Sequence, residues 1–186
     1  MTFKGPIATL VLIAIGMALA AISNFAIPIP LGFGIVEFWL GIVAIVSGCI
    51  WFGGWGVIAA SIFPSLTSYL LGLDTRYCLA VIPSNLLEGL IPAMAFRMAA
   101  ADPALGDRRS LIIYGVWAIV VPSLLGGFLA STMWKAMGEV DWQGFALLGL
   151  NWALSNSLLL VLAGIPLARQ LTPALRARGW LISGWF

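Results

Sequence analysis

Two carboxylates, Glu37 and Glu88, fall inside hydrophobic stretches that otherwise carry no acidic residue. A carboxylate in a bilayer is costly, so such a residue faces a partner, a cavity or a ligand. Four asparagines, Asn24, Asn85, Asn151 and Asn156, accompany them. Asn85 and Glu88 are spaced i, i+3 and share one helix face. Pro83 and Pro92 flank the pair, and Pro92 removes the donor that would bond the carbonyl of Glu88. Freed carbonyls in kinked helices occur where a cavity is lined. Asn151 and Ser155 share a face of a later helix, and Trp152 beside them is suited to stack on a planar ligand. Glu37 opens a helix, where the dipole also favours a carboxylate, and Asn24 closes the helix before it. These residues predict a polar pocket within a helical bundle. Glu88 and Asn85 lead the candidate ligand contacts, followed by Asn151, Trp152, Glu37 and Asn24. The simpler role for each asparagine is interhelical hydrogen bonding, worth about 0.6–2 kcal/mol.

The chemistry of catalysis is missing. The chain has no histidine, which removes imidazole bases and His-metal sites. Cys49 and Cys78 form no CxxC motif and read as small buried apolar residues. No Walker A, HExxH or GxSxG motif and no acidic pair is present. The expectation is a protein that is not an enzyme and holds no metal or cofactor.

The elements that position these residues follow from composition. Of 186 residues, 62% are hydrophobic and 9% charged, and the mean hydropathy is +1.08. Soluble domains carry about 25% charged residues, so this is a membrane protein. The length suits about six helices of roughly 20 residues each. Apolar runs predict helices at 6–27, 35–52, 55–73, 78–100, 110–136 and 144–169. Pro28 to Gly34, Trp51 to Gly56, Leu73 to Tyr77, Ala101 to Arg109 and Gly138 to Gln143 break them. With the N-terminus in the cytoplasm, Lys4, Arg97, Arg108, Arg109, Arg169, Arg176 and Arg178 lie inside, and only Arg76 and Lys135 outside. Seven positives against two obey the positive-inside rule. The fold expected is therefore an all-α bundle of six transmembrane helices with both termini cytoplasmic, spanning residues 1–170. Residues 171–186, mixing basic and aromatic side chains, read as an interfacial cytoplasmic tail. Arg97 is expected to snorkel to the cytoplasmic surface. Trp51, Trp55, Trp134, Trp142 and Trp180 fit interfacial belts. The net charge of +2 gives no sign of nucleic-acid binding.

Helix one carries Ala14-xxx-Ala18 and Gly16-xxx-Ala20. Small residues at this spacing let another helix approach closely, within the bundle or from a separate membrane protein.

The layout resembles the substrate-binding S components of energy-coupling factor transporters. The matching residues are Ala14 to Ala21, the Ile27-Pro28-Ile29-Pro30 loop, the run Ile45 to Val57, and Pro83 to Leu90. The resemblance implies capture of a vitamin-type micronutrient from outside the cell (inner) membrane. It also implies a coupling transmembrane protein and two ATPase subunits as partners. The helix-one face (Ala14, Ala18, Gly16, Ala20) would dock the coupling protein, Pro28 to Gly34 would form a lid, and helices four to six would hold the ligand. The missing histidine and the basic, aromatic tail depart from that pattern. The tail and Asn85 to Gly89 also resemble membrane-embedded sensory input domains. A third reading is an accessory subunit of a larger membrane complex, with the buried polar residues as contacts.

Overall fold

The computed structural model describes residues 4–23, 29–31, 34–36 and 38–186, with side chains described for 4–23 and 38–186. Glu37 and Asn24 lie outside the described residues. The chain is helical: α1 (Lys4–Ser23), α2 (Gly41–Phe52), α3 (Gly54–Leu70), α4 (Thr75–Ala80), α5 (Ile82–Met98), α6 (Arg108–Tyr114), α7 (Val121–Ala136), α8 (Trp142–Leu159) and α9 (Ile165–Ala177). One π-helical turn, Gly115–Val120, joins α6 to α7, and another, Leu160–Gly164, joins α8 to α9. These pieces stack into six helical rods. Four of them are long and apolar enough to cross a membrane: Lys4–Ser23, Thr75–Met98, Arg108–Ala136 and Trp142–Ala177.

Two expectations need correction. Helix two does not begin at residue 35 but at Gly41, and a short strand pair precedes it in the otherwise helical fold. Ile29–Leu31 (β1) and Gly34–Val36 (β2) pair antiparallel, with Ile29 opposite Val36 and Leu31 opposite Gly34. Pro30 disfavours a helix here, and β-branched residues suit an extended ribbon that tolerates proline at its edge. The fourth helix is also broken, at Val81 just before Pro83, into α4 and α5.

The other boundaries follow local chemistry. Asp74, Asp107 and Asp141 cap α4, α6 and α8, accepting from the amides of Arg76, Ser110 and Gly144 at 2.7, 2.9 and 2.7 Å. Such caps satisfy the donors that a helix start leaves over. Pro122 and Pro166 each follow a π-turn. Proline lacks a donor and crowds the carbonyl four residues back, and a widened turn relieves both. The last rod therefore runs on to Ala177, beyond residue 170.

α2 is the centre of the bundle, and every residue from Gly41 to Phe52 is buried. It meets α3 across Gly53, whose φ of 61° is a left-handed conformation suited to glycine. A Cβ on Gly56 would strike the α2 backbone, with Cys49 Cα at 2.7 Å, so glycine also permits this close approach. α5 packs against α2, α3 and α7, while α7 pairs with α8.

Lys4, Arg97, Arg109 and Arg176 gather at one end of the bundle, while Arg76 and Lys135 lie next to Tyr77 and Trp134 at the other. Lys4 Nζ donates to Gly179 O at 2.9 Å, Arg176 pairs with Asp102, and Arg109 donates to Ala99 O at 2.8 Å. Residues 178–186 return across this end. Ile182 N donates to Trp51 O at 2.9 Å, and Gly54 N to Trp185 O at 2.7 Å. Arg97 does not simply reach for the surface. It donates to the carbonyls of Cys49, Ala93, Ile182 and Gly184, and its guanidinium lies 5.3 Å from the Trp185 ring centroid.

Candidate functional site

A partly open cavity of about 220 Å³ lies at the opposite end. α1 contributes Ala20, α3 contributes Thr67 and Ser68, α4 brings Tyr77, and α5 brings Asn85. Trp134 comes from α7, and Asn151, Trp152, Ser155 and Asn156 come from α8. Six rods at most are available, and residues from five of them converge here. Three expected site residues, Asn85, Asn151 and Trp152, thus share one cavity wall.

Glu88 sits differently. It is fully buried and lies behind the lining. Its Oε1 accepts from Trp152 Nε1 at 2.6 Å and from Asn156 Nδ2 at 2.7 Å. The i, i+3 spacing from Asn85 was legible, but the pairing across to α8 was not. Gly126 of α7 makes room for the carboxylate: a Cβ there would meet Glu88 Cγ and Oε1 at 2.7 Å. Gly127 lets α8 come close, since its Cβ would lie 2.6 Å from Gly149 O and 3.1 Å from Trp152 Cβ. Two glycines on α7 therefore set where Glu88 and Trp152 can meet. Glu88 fixes the rotamer of Trp152 and the orientation of the Asn156 amide. It acts on the cavity through those two residues.

Several polar atoms nearby have no hydrogen-bond partner. Among the described residues these include Glu88 Oε2, Asn85 Oδ1 and Trp134 Nε1. Asn85 is 2% exposed and Trp134 5%. A buried polar atom without a partner costs about 1–3 kcal/mol; Ser47, Ser84, Tyr114 and Ser123 carry such atoms elsewhere in the bundle, while Asn85 and Trp134 carry them at the cavity lining. The aromatic wall is ordered by its own contacts. Tyr77 and Trp134 stack at 4.9 Å and 12°, and Trp134 and Trp152 lie 5.9 Å apart at 57°. Trp39 stacks on Phe63 at 6.1 Å at the cavity's edge.

Two of the tryptophans expected in interfacial belts are buried. Trp134 is buried at the cavity and does not belong to an interfacial belt. Trp51 is likewise buried and donates to Thr172 Oγ1 at 2.9 Å. Tyr77, which the sequence puts in a polar loop, lies on α4 and lines the cavity. No spacing rule links Tyr77, Trp134 and Trp152, because they sit on three different helices.

The small-residue face of α1 divides in two. Gly16 and Ala20 are buried: a Cβ on Gly16 would meet the Phe63 ring at 2.7 Å, and Ala20 lines the cavity. Ala14 and Ala18 point outward beside Val11, Ile15 and Ile22. Of the four residues expected to dock a partner, only Ala14 and Ala18 are accessible. The geometry is that of a binding cavity, with an amide-bearing, aromatic lining and a buried carboxylate that orients part of it. No protein-family model, no curated protein and no solved structure matches the chain, so the geometry of this cavity carries the functional reading.

Proposed function

We propose that the chain is the substrate-capture subunit of a micronutrient (vitamin-type) uptake transporter, taking its ligand from the outer side of the cell (inner) membrane. One observation supports this above the others. The cavity with its aromatic and amide lining lies at the end of the bundle away from the basic cluster. Positive residues favour the cytoplasmic face, so in this reading the cavity opens outward. All six rods then cross the bilayer, with both termini in the cytoplasm. α2 has only 12 residues, but its burial on every side shields it from lipid.

In this reading the subunit binds and does not catalyse. Asn85, Asn151 and the face of Trp152 hold the ligand, and Glu88 positions Trp152 and Asn156. The β1–β2 hairpin, whose second strand lies beside α8, serves as the lid. The exposed Ala14 and Ala18 face of α1 meets the coupling transmembrane protein, and two ATPase subunits supply the energy.

The side on which the cavity opens is tested with Ser68→Cys. Ser68 lines the cavity and is partly exposed, while the native Cys49 and Cys78 are buried. A membrane-impermeant maleimide added to spheroplasts should label Ser68→Cys and leave the parent protein unlabelled. Labelling only in inside-out vesicles would overturn the outward-facing reading.

A further inference from the structure

The cavity wall combines an unpaired acceptor with an unpaired donor. From this we propose that it takes an uncharged heteroaromatic molecule of one or two rings, whose edge carries an N–H donor beside an acceptor. The proposal rests on the capture reading above and names its class of ligand.

Four observations lead there. First, Asn85 Oδ1 is buried at the lining and has no partner among the described residues. A carboxamide oxygen only accepts, so the ligand must offer it a donor. Second, Trp134 Nε1 is a buried donor on the same wall with no partner among the described residues. An indole N–H can only donate, so the ligand must offer it an acceptor. Third, the Trp152 N–H is already committed to Glu88, which leaves Trp152 only its ring to present. Tyr77 and Trp134 form a near-parallel stack beside it. Flat rings bind such walls by offset or edge contacts. Fourth, among the described residues no charged side chain lines the cavity, and Glu88 stands behind it. A charged group would enter this space without a counter-charge, at a large desolvation cost.

Size narrows the class. A cavity of about 150 Å³ holds benzene, and pockets for drug-sized ligands start at about 300 Å³. The volume of about 220 Å³ lies between them and suits a single or fused ring.

The test uses 7-azaindole and indole as probes, measured by isothermal titration calorimetry on the protein in lipid nanodiscs after detergent exchange. The two molecules share a shape, but only 7-azaindole has a ring nitrogen acceptor beside its N–H. The wild type should bind 7-azaindole tighter by about tenfold, the size of one buried hydrogen bond. Trp134→Phe, which removes only the indole donor, should erase that preference and keep indole binding. Asn85→Leu, which removes the acceptor for the N–H that both probes carry, should weaken both and leave the preference. Equal affinity for both probes in the wild type would overturn the proposal. So would no binding of either at millimolar concentration, or a preference that survives Trp134→Phe. A co-purified ligand without an aromatic ring would refute the ligand class and leave the capture reading standing. A clear 7-azaindole preference, with Ser68→Cys labelled only from the cytoplasmic side, would do the reverse.

Discussion

The two ends of this bundle treat buried polar groups in opposite ways. At the basic end, Arg97 spends its donors on four backbone carbonyls and stacks on Trp185, while Trp51 and Thr172 complete each other and Pro103 O. At the cavity end, Asn85 Oδ1, Glu88 Oε2 and Trp134 Nε1 have no partner among the described residues. A group that the protein satisfies internally stabilises the fold. A group left open at a cavity reduces stability until something binds. The contrast is between the Arg97 clasp and the cavity lining; the Tyr114 hydroxyl, edge-on to Phe96, is also buried without a partner among the described residues.

Substitutions at the two ends should therefore move stability and binding in different directions. The largest effect is expected for Arg97→Ala. It strips donors from four carbonyls and releases residues 182–185, and should cost about 3 kcal/mol. Thermal unfolding in detergent would show a large drop, with ligand affinity of the folded fraction unchanged. An affinity loss as large as the stability loss would mean that the two ends are coupled.

Gly127→Ala comes next. Its new Cβ would meet the backbone oxygen of Gly149, which cannot rotate away, so α7 and α8 must part. Overpacking of this kind costs about 1–3 kcal/mol, and ligand affinity should fall with stability because Trp152 moves with α8.

Glu88→Gln should be milder. The amide oxygen of glutamine can still accept from Trp152 and Asn156, but an NH2 group replaces Oε2, which has no partner among the described residues. Ligand binding should weaken by about 1–2 kcal/mol, read by calorimetry, through a looser Trp152 and Asn156. A Glu88→Gln protein with unchanged affinity and unchanged thermal stability would remove the positioning role.

The smallest effect belongs to the Asp102–Arg176 pair at the surface. Partial burial pushes the Asp102 carboxyl up, but the Ala104 amide and then Arg176 outweigh it and hold the group below its ordinary value. A carboxyl depressed on folding adds stability above its unfolded value and loses it as pH falls through the folded one. Asp102→Asn should thus cost under about 1 kcal/mol at pH 7. The difference from wild type should begin to shrink as pH falls below about 4, where the unfolded carboxyl protonates, and be lost below the lower folded value. A difference that does not shrink as the pH falls through this range would contradict this assignment.

Much of the cavity was legible in the sequence, and the clasp was not. Asn85, Asn151 and Trp152 stood out because polar residues in apolar helices are rare and helical spacing puts them on shared faces. Helices four and six could therefore be chosen as the ones that matter. The roles of Tyr77 and Trp134 were hidden, because aromatic residues suit a membrane interface equally well. The direction of each α1 face was hidden for a related reason. In lipid both the inner and the outer faces of a helix are apolar, so Gly16 and Ala14 look alike until packing separates them. Glu88 was found, but its partners on α8 lie more than 60 residues away. The Arg97 clasp depends on carbonyls of residues 182–184, and carbonyls leave no trace in residue type. The strand pair at 29–36 was overlooked because Ile35 and Val36 continue smoothly into an apolar run.

The central claim is that the open polar groups mark a ligand site. Native mass spectrometry of the gently solubilised protein, wild type beside Asn85→Leu, tests it most directly. The account predicts a small bound mass on the wild type that is absent from an equally stable Asn85→Leu protein. A wild type that carries only lipids or partner subunits, or a bound mass untouched by Asn85→Leu, would contradict it.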